Sequence, residues 1–189
     1  MKRFMCILVF MFVLGGTSNA FSRDIVVELL GTATGVEETW EDLGVPVPDG
    51  LAASDSPLCF TIPMYDLSSG SQVGTAKDCL FIFGDANGGT TAKVMATTFF
   101  NFNNGTLVGR GLTTVQQIPN DWVNGGADFT HITGAVPGAS DVSNILVEKG
   151  NKRYEFSTGQ VRLSGAVNLS KLVSDGEITF SCIFKISLD

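Results

Sequence analysis

From Glu177 to Leu188 the chain reads EITFSCIFKISL, and its apolar and polar positions alternate. Ile178, Phe180, Cys182, Phe184, Ile186 and Leu188 fall on one side; Thr179, Ser181, Ile183, Lys185 and Ser187 fall on the other. A period of two over that length predicts a half-buried strand. The stretch Leu58 to Phe83 predicts a long hairpin, because two apolar arms flank the polar tip Ser68-Ser69-Gly70-Ser71. Asp24 to Leu30 is a first strand, with Ile25, Val27 and Leu29 on one face and Val26, Glu28 and Leu30 on the other. Lys93 to Phe102 and Thr106 to Gln116 form a second hairpin around Asn103-Asn104-Gly105, since Asn-Gly supplies the positive φ of a tight hairpin turn. Phe129 to Val136 is a further strand, Ile145 to Glu148 a short one, and Tyr154 to Leu169 a long one. Gly159 and Gly165 inside that long strand mark bends or bulges.

Between the first strand and the first hairpin lies Gly31 to Ser56, rich in turn formers, with Pro46, Pro48 and Gly50 crowded together. It reads as a long surface connection with a short helical turn at Gly35 to Leu43. The pattern as a whole is all-β. A chain that ends in a strand exposes an edge or closes a sheet, and closure removes the edge. The expected architecture is a single antiparallel closed β-barrel of about eight strands, with a β-sandwich as the alternative.

The first twenty residues change the picture. Lys2 and Arg3 precede the apolar run Phe4 to Leu14, and Ser18-Asn19-Ala20 offers small residues for cleavage. This is the pattern of a secretory signal peptide over residues 1–20, leaving 21–189 as one domain that is secreted, or periplasmic in a bacterium. Of 12 Lys and Arg, two lie in that leader, which leaves 10 against 19 Asp and Glu, a balance of −9. That balance and the lack of a basic cluster argue against nucleic acid and, after cleavage, against an anionic membrane as partner. Cys59 and Cys79 each stand ten residues from Ser69. They become opposed partners if the turn centres there, within reach of a disulfide. Cys182 is then the odd thiol, a small core residue. No cysteine pair has zinc-site spacing and His131 is the single histidine, so no Cys/His metal site is expected.

The ordered blocks resemble the allene oxide cyclase and dirigent-protein superfamily. They are Phe60-Thr61 to Tyr65-Asp66, Val73-Gly74 to Cys79-Leu80-Phe81-Ile82, and Thr98-Phe99-Phe100 to Leu107-Val108-Gly109-Arg110-Gly111. Ile132-Thr133-Gly134, then Phe156-Ser157-Thr158-Gly159-Gln160-Val161-Arg162-Leu163, then Phe180 to Leu188 complete the set. The resemblance implies an eight-stranded barrel with an apolar lumen, a small apolar ligand, and dimers or trimers. It places a pocket cysteine at Cys79. The chain departs from the family where Ala135 follows Ile132-Thr133-Gly134, and where Leu30 and Ile62 stand in for asparagines.

Glu28 is the candidate catalytic acid if it points into the lumen; the barrel's outer face is the other place for it. His131 is a candidate proton shuttle, or a wall residue bonded to a neighbour. Tyr65 and Arg110 stand near strand ends where they would ring a pocket mouth, although Arg110 also suits an outer ion pair. Asp66 suits a cap on the hairpin tip. Cys79 lines the pocket or is half of the bridge to Cys59. Asn104-Gly105-Thr106 and Asn168-Leu169-Ser170 match the N-glycosylation sequon, and Asn104 is equally explained as a turn residue. Three functions follow: a cofactor-free cyclase or isomerase, a non-catalytic dirigent-like module that orients a ligand, or a structural or adhesive secreted β-protein.

Overall fold

The computed structural model describes residues 23–85, 91–117, 130–135, 143–146 and 149–189. The expected signal peptide, and Phe129 and Val136 at the ends of the expected sixth strand, lie outside them. Among the described residues, ten strands make one antiparallel sheet. They are β1 (Arg23–Thr34), β2 (Val36–Glu37), β3 (Leu58–Asp66), β4 (Gln72–Asp85) and β5 (Thr91–Phe102). Then come β6 (Gly105–Gln117), β7 (Thr130–Ala135), β8 (Ser143–Ile145), β9 (Gly159–Asn168) and β10 (Glu177–Leu188). β1 pairs with β10 from Arg23↔Leu188 to Thr34↔Glu177, and with β3 through Val27↔Asp66, Glu28↔Tyr65 and Leu29↔Met64. The pairings therefore run in a ring, β1–β10–β9–β7–β6–β5–β4–β3 and back to β1. One sheet forms, not the two of a sandwich, and β10 is flanked on both sides, so the terminal strand presents no free edge. Among the described residues, no helix is long and apolar enough to cross a membrane.

The alternation in β10 has the expected cause. Ile178, Phe180, Cys182, Phe184 and Ile186 are buried on the inner face, and Thr179, Ser181 and Lys185 are exposed outside. Val27, Leu29, Phe60, Ile62, Met64 and Phe100 join them in one core. Phe100 of β5 meets Phe184 of β10 edge-on at 5.3 Å, and Phe60 meets Phe180 at 5.6 Å. β5 and β10 are not neighbours in the sheet, so that first contact spans the interior.

The helical turn expected within Gly35–Leu43 is confined to its end, where the Leu43 N–H donates to the Thr39 carbonyl at 3.1 Å, while Val36–Glu37 pairs with Leu58 and Cys59 as β2. Two expectations are corrected. The strand expected from Tyr154 begins only at Gly159, because Lys152–Tyr154 is a 3-10 turn that folds Tyr154 over the core against Phe102, ring centroids 5.3 Å apart. Gly165 sits in no bulge. The β9–β10 register is continuous, and a Cβ at Gly165 would run into the Ser181 carbonyl, so the glycine is needed for close approach to β10.

The segment from Gly35 to Pro57 is more than a surface connection. It lays Trp40, 2% exposed, with Val45 and the half-buried Leu43, Val47 and Leu51 onto Val108, Phe81 and Phe99. A second, smaller core thus covers the outer face of β4, β5 and β6. Lys77 holds Glu38 of this segment at 2.7 Å.

Candidate functional site

The register of the first hairpin settles which residues face inward. Cys59 pairs with Cys79, so Phe60 pairs with Asp78 and Ile62 with Ala76. Phe60, Ile62 and Ala76 belong to the inner core, and Asp78 shares their face. Asp78 is 4% exposed, and its carboxylate accepts the Thr98 hydroxyl at 2.7 Å from β5. The side chains of Leu80, Thr113, Leu163, Phe180 and Cys182 surround it in a cavity of about 40 Å³. That volume admits water-sized occupants and is far below an ordinary ligand pocket of roughly 300 Å³ or more. Leu80, Val115, Leu163 and Leu169 in its wall are half-buried, so the cavity reaches toward the surface there.

The electrostatics follow from burial. Desolvation pushes the Asp78 carboxyl up to about 6, against the pull of the Thr98 hydroxyl, which favours the charged form. Burial, then the charge on Asp78, pushes the Cys182 thiol up to about 12. Its Sγ donates to the Ala166 carbonyl at 3.6 Å. Cys182 stays a thiol at physiological pH and is no nucleophile. Asp78 is the group that changes charge near neutrality. Protonated, it can donate a hydrogen bond to a ligand oxygen; ionised, it can take a proton or face a developing cation.

Neither Asp78 nor Thr98 was among the residues singled out from sequence, although the spacing of Cys59 and Cys79 already implied Phe60 opposite Asp78. The residues that were singled out do not meet at one site. Glu28 lies on the outer face, opposite in sense to buried Val27 and Leu29, so it does not line the interior. Tyr65 is its neighbour there, paired across β1 and β3. Cys79 faces outward too, beneath the covering segment and bridged to Cys59. It holds no free thiol, so the pocket role that the resemblance gave it does not fit. Arg110 pairs with Thr97, and Thr97 with Cys79, in one outer row. Arg110 clamps the covering segment, whose Asp49 carboxylate acts favourably on its charge. Its Nε donates to Thr97 Oγ1 at 2.9 Å and one Nη to the Pro46 carbonyl at 2.7 Å, and its guanidinium lies 5.4 Å from the Trp40 ring centroid. His131 stands in β7 opposite Gln117 and Val167; its side chain lies outside the described residues. Asp66 caps the hairpin tip as expected, its Oδ1 accepting the N–H and hydroxyl groups of Ser68 and Ser69. Among the described residues, no group of three or more His, Cys, Asp or Glu is placed to hold a metal.

The bridge makes a direct prediction. Alkylation of residues 21–189, unfolded without reductant, should label one thiol, Cys182, and reduction should raise the count to three; three labels before reduction would contradict the bridge.

No protein-family model matches the chain, and no curated protein matches it.

Proposed function

We propose that this is a secreted barrel domain of the allene oxide cyclase and dirigent type that takes a small apolar ligand at the Asp78 end of its interior. The observation that carries the reading is one buried carboxyl, hydrogen-bonded to Thr98, in a cavity otherwise lined by apolar side chains and the hydroxyl and thiol of Thr113 and Cys182. Such a group costs stability near neutral pH, and a fold keeps a cost of that kind where the group has work to do. The ring of strand pairings and the hairpin bridge support the closed barrel and an oxidising compartment. The ligand is a compact apolar molecule with one oxygen for Asp78 to address. Widening of the cavity past half-buried Leu163 and Leu169 would admit it. A cofactor-free isomerase or cyclase is the catalytic form of this reading, with Asp78, not Glu28, moving the proton. A dirigent-like module is the non-catalytic form.

The structural or adhesive reading draws on a different observation, the interior spanned by Phe100 against Phe184. Titration with the apolar fluorophore N-phenyl-1-naphthylamine separates the two. Saturable binding is expected, about tenfold tighter at pH 5 than at pH 8, because burying a ligand beside ionised Asp78 is unfavourable. The Asp78→Asn variant should bind with no such pH dependence. Absence of saturable binding at every pH leaves the structural reading.

A further inference from the structure

We propose that Asn104 carries an N-linked glycan whose first N-acetylglucosamine settles against Phe102 in the pocket beside it. Asn103 and Asn104 form the exposed tip of the β5–β6 hairpin, where Phe102 pairs with Gly105. The sequence there is Phe102-Asn103-Asn104-Gly105-Thr106, a complete acceptor sequon on a surface turn. Close packing accounts for the glycine: Gly105, the first residue of β6, has φ of +151°, and a Cβ there would meet the Asn151 carbonyl at 2.6 Å, whereas the turn residues Asn103 and Asn104 have no positive φ. It does not account for the pocket. Phe102, Asn103, Asn104, Asp66 and Tyr154 line a depression of about 260 Å³ at this end of the ring. That is small for an ordinary ligand site and right for one sugar ring. Its lining joins the apolar Phe102, Ile25 and Val73 to the polar Asp66 and Asn103. A pyranose has the same two-sided character, with a C–H face for the aromatic and hydroxyl edges for the polar rim. Because the acceptor side chain itself borders the depression, the first sugar has no distance to span.

The Cys59–Cys79 bridge fits an oxidising compartment, the kind in which this modification occurs. The Asn104 amide nitrogen attacks C1 of the reducing-end sugar of a polyprenyl-diphosphate oligosaccharide. The new N–C1 bond replaces the C1–O bond to phosphate, the polyprenyl diphosphate leaves, and the amide nitrogen loses one proton. Asn168, in the second sequon, bends back on its own strand end, with its Oδ1 accepting the Ser170 N–H at 2.9 Å, and serves as the comparison.

The experiment expresses the full chain in a eukaryotic secretory host and reads intact mass before and after peptide-N-glycosidase F, from medium and from cell extract alike. A glycan is expected that is lost in Asn104→Gln and in Thr106→Val and kept in Asn168→Gln. No glycan, or one on Asn168 alone, overturns the assignment. The seating of the sugar is read separately. Removing the glycan should lower Tm by about 2–4 °C, the shift that about 1 kcal/mol makes in a domain of this size. In Phe102→Val and Phe102→Leu, each compared with its own deglycosylated form, the shift should nearly vanish. An undiminished shift in both variants, or none in the unsubstituted protein, would overturn the contact with Phe102.

Discussion

Replacing Asp78 with Asn should shift the stability difference in favour of the variant by about 3 kcal/mol between pH 4 and pH 7. The buried carboxyl holds its proton up to about 6 in the folded state, against an ordinary value of 3.8 once unfolded. Below pH 4 both states bind the proton and Asp78 brings no pH-dependent cost. As pH rises through that interval the unfolded chain releases its proton first, and folding must then keep a proton bound or bury a charge. Stability therefore falls from about pH 4 to about pH 6 and stays level above it. The gap between 3.8 and about 6, at about 1.4 kcal/mol per tenfold, gives the stated size. No cation among the residues lining the cavity offsets it; the polar neighbours are Thr98, Thr113 and Cys182, and Cys182 remains a thiol. Asn keeps an acceptor for the Thr98 hydroxyl but adds a buried amide donor, which costs about 1–3 kcal/mol at every pH. The test is accordingly the pH dependence of the difference between the two proteins in urea unfolding, since a constant offset cancels there. A difference that stays flat from pH 4 to pH 7 would show that Asp78 titrates normally and would remove the main support for the interior site.

That site was within reach of the sequence, and the reason it escaped is specific. In Ala76-Lys77-Asp78-Cys79 two charges stand side by side in a strand, and nothing local says which faces in. The opposed cysteines resolve the matter, because a strand has period two and the partner of Phe60 must share its face. Glu28 was ambiguous for the opposite reason. Both faces of Asp24 to Leu30 are apolar, and only pairing with β10 decides that Val27 and Leu29 point inward. The hairpins were legible because a turn sets the register of each, and β10 because it has one wet face. The return of β1 onto β3 rests on three residue pairs brought together by tertiary packing, and no local pattern encodes it. Trp40 was hidden by its neighbours: Glu37, Glu38, Glu41 and Asp42 give a surface composition to a segment whose aromatic is buried.

Trp40→Ala should therefore cost about 3–5 kcal/mol, as large as truncating a residue of the inner core. Trp40 is 2% exposed and seats the covering segment on Val108, Phe81 and Phe99, so its removal opens the second core at its centre. It also takes away the ring beneath Arg110, one of whose terminal nitrogens is already buried without a partner. The remaining ties are weak by comparison. The Lys77–Glu38 pair is a third and a fifth exposed, which limits it to about 1 kcal/mol or less. Trp40→Phe separates packing from hydrogen bonding. The indole Nε1 is buried and makes no hydrogen bond, so Phe gives up only part of the buried area and should lose about 1–2 kcal/mol. In urea the Ala variant should unfold at a midpoint lower by about 2 M, at the m-value usual for small domains, and the Phe variant by less than half of that. A midpoint unchanged in Trp40→Ala, with residues 35–57 newly open to protease, would mean the cover unfolds on its own and adds nothing to the ring. A Phe variant as weak as the Ala variant would mean instead that the indole N–H is the element that holds the segment down.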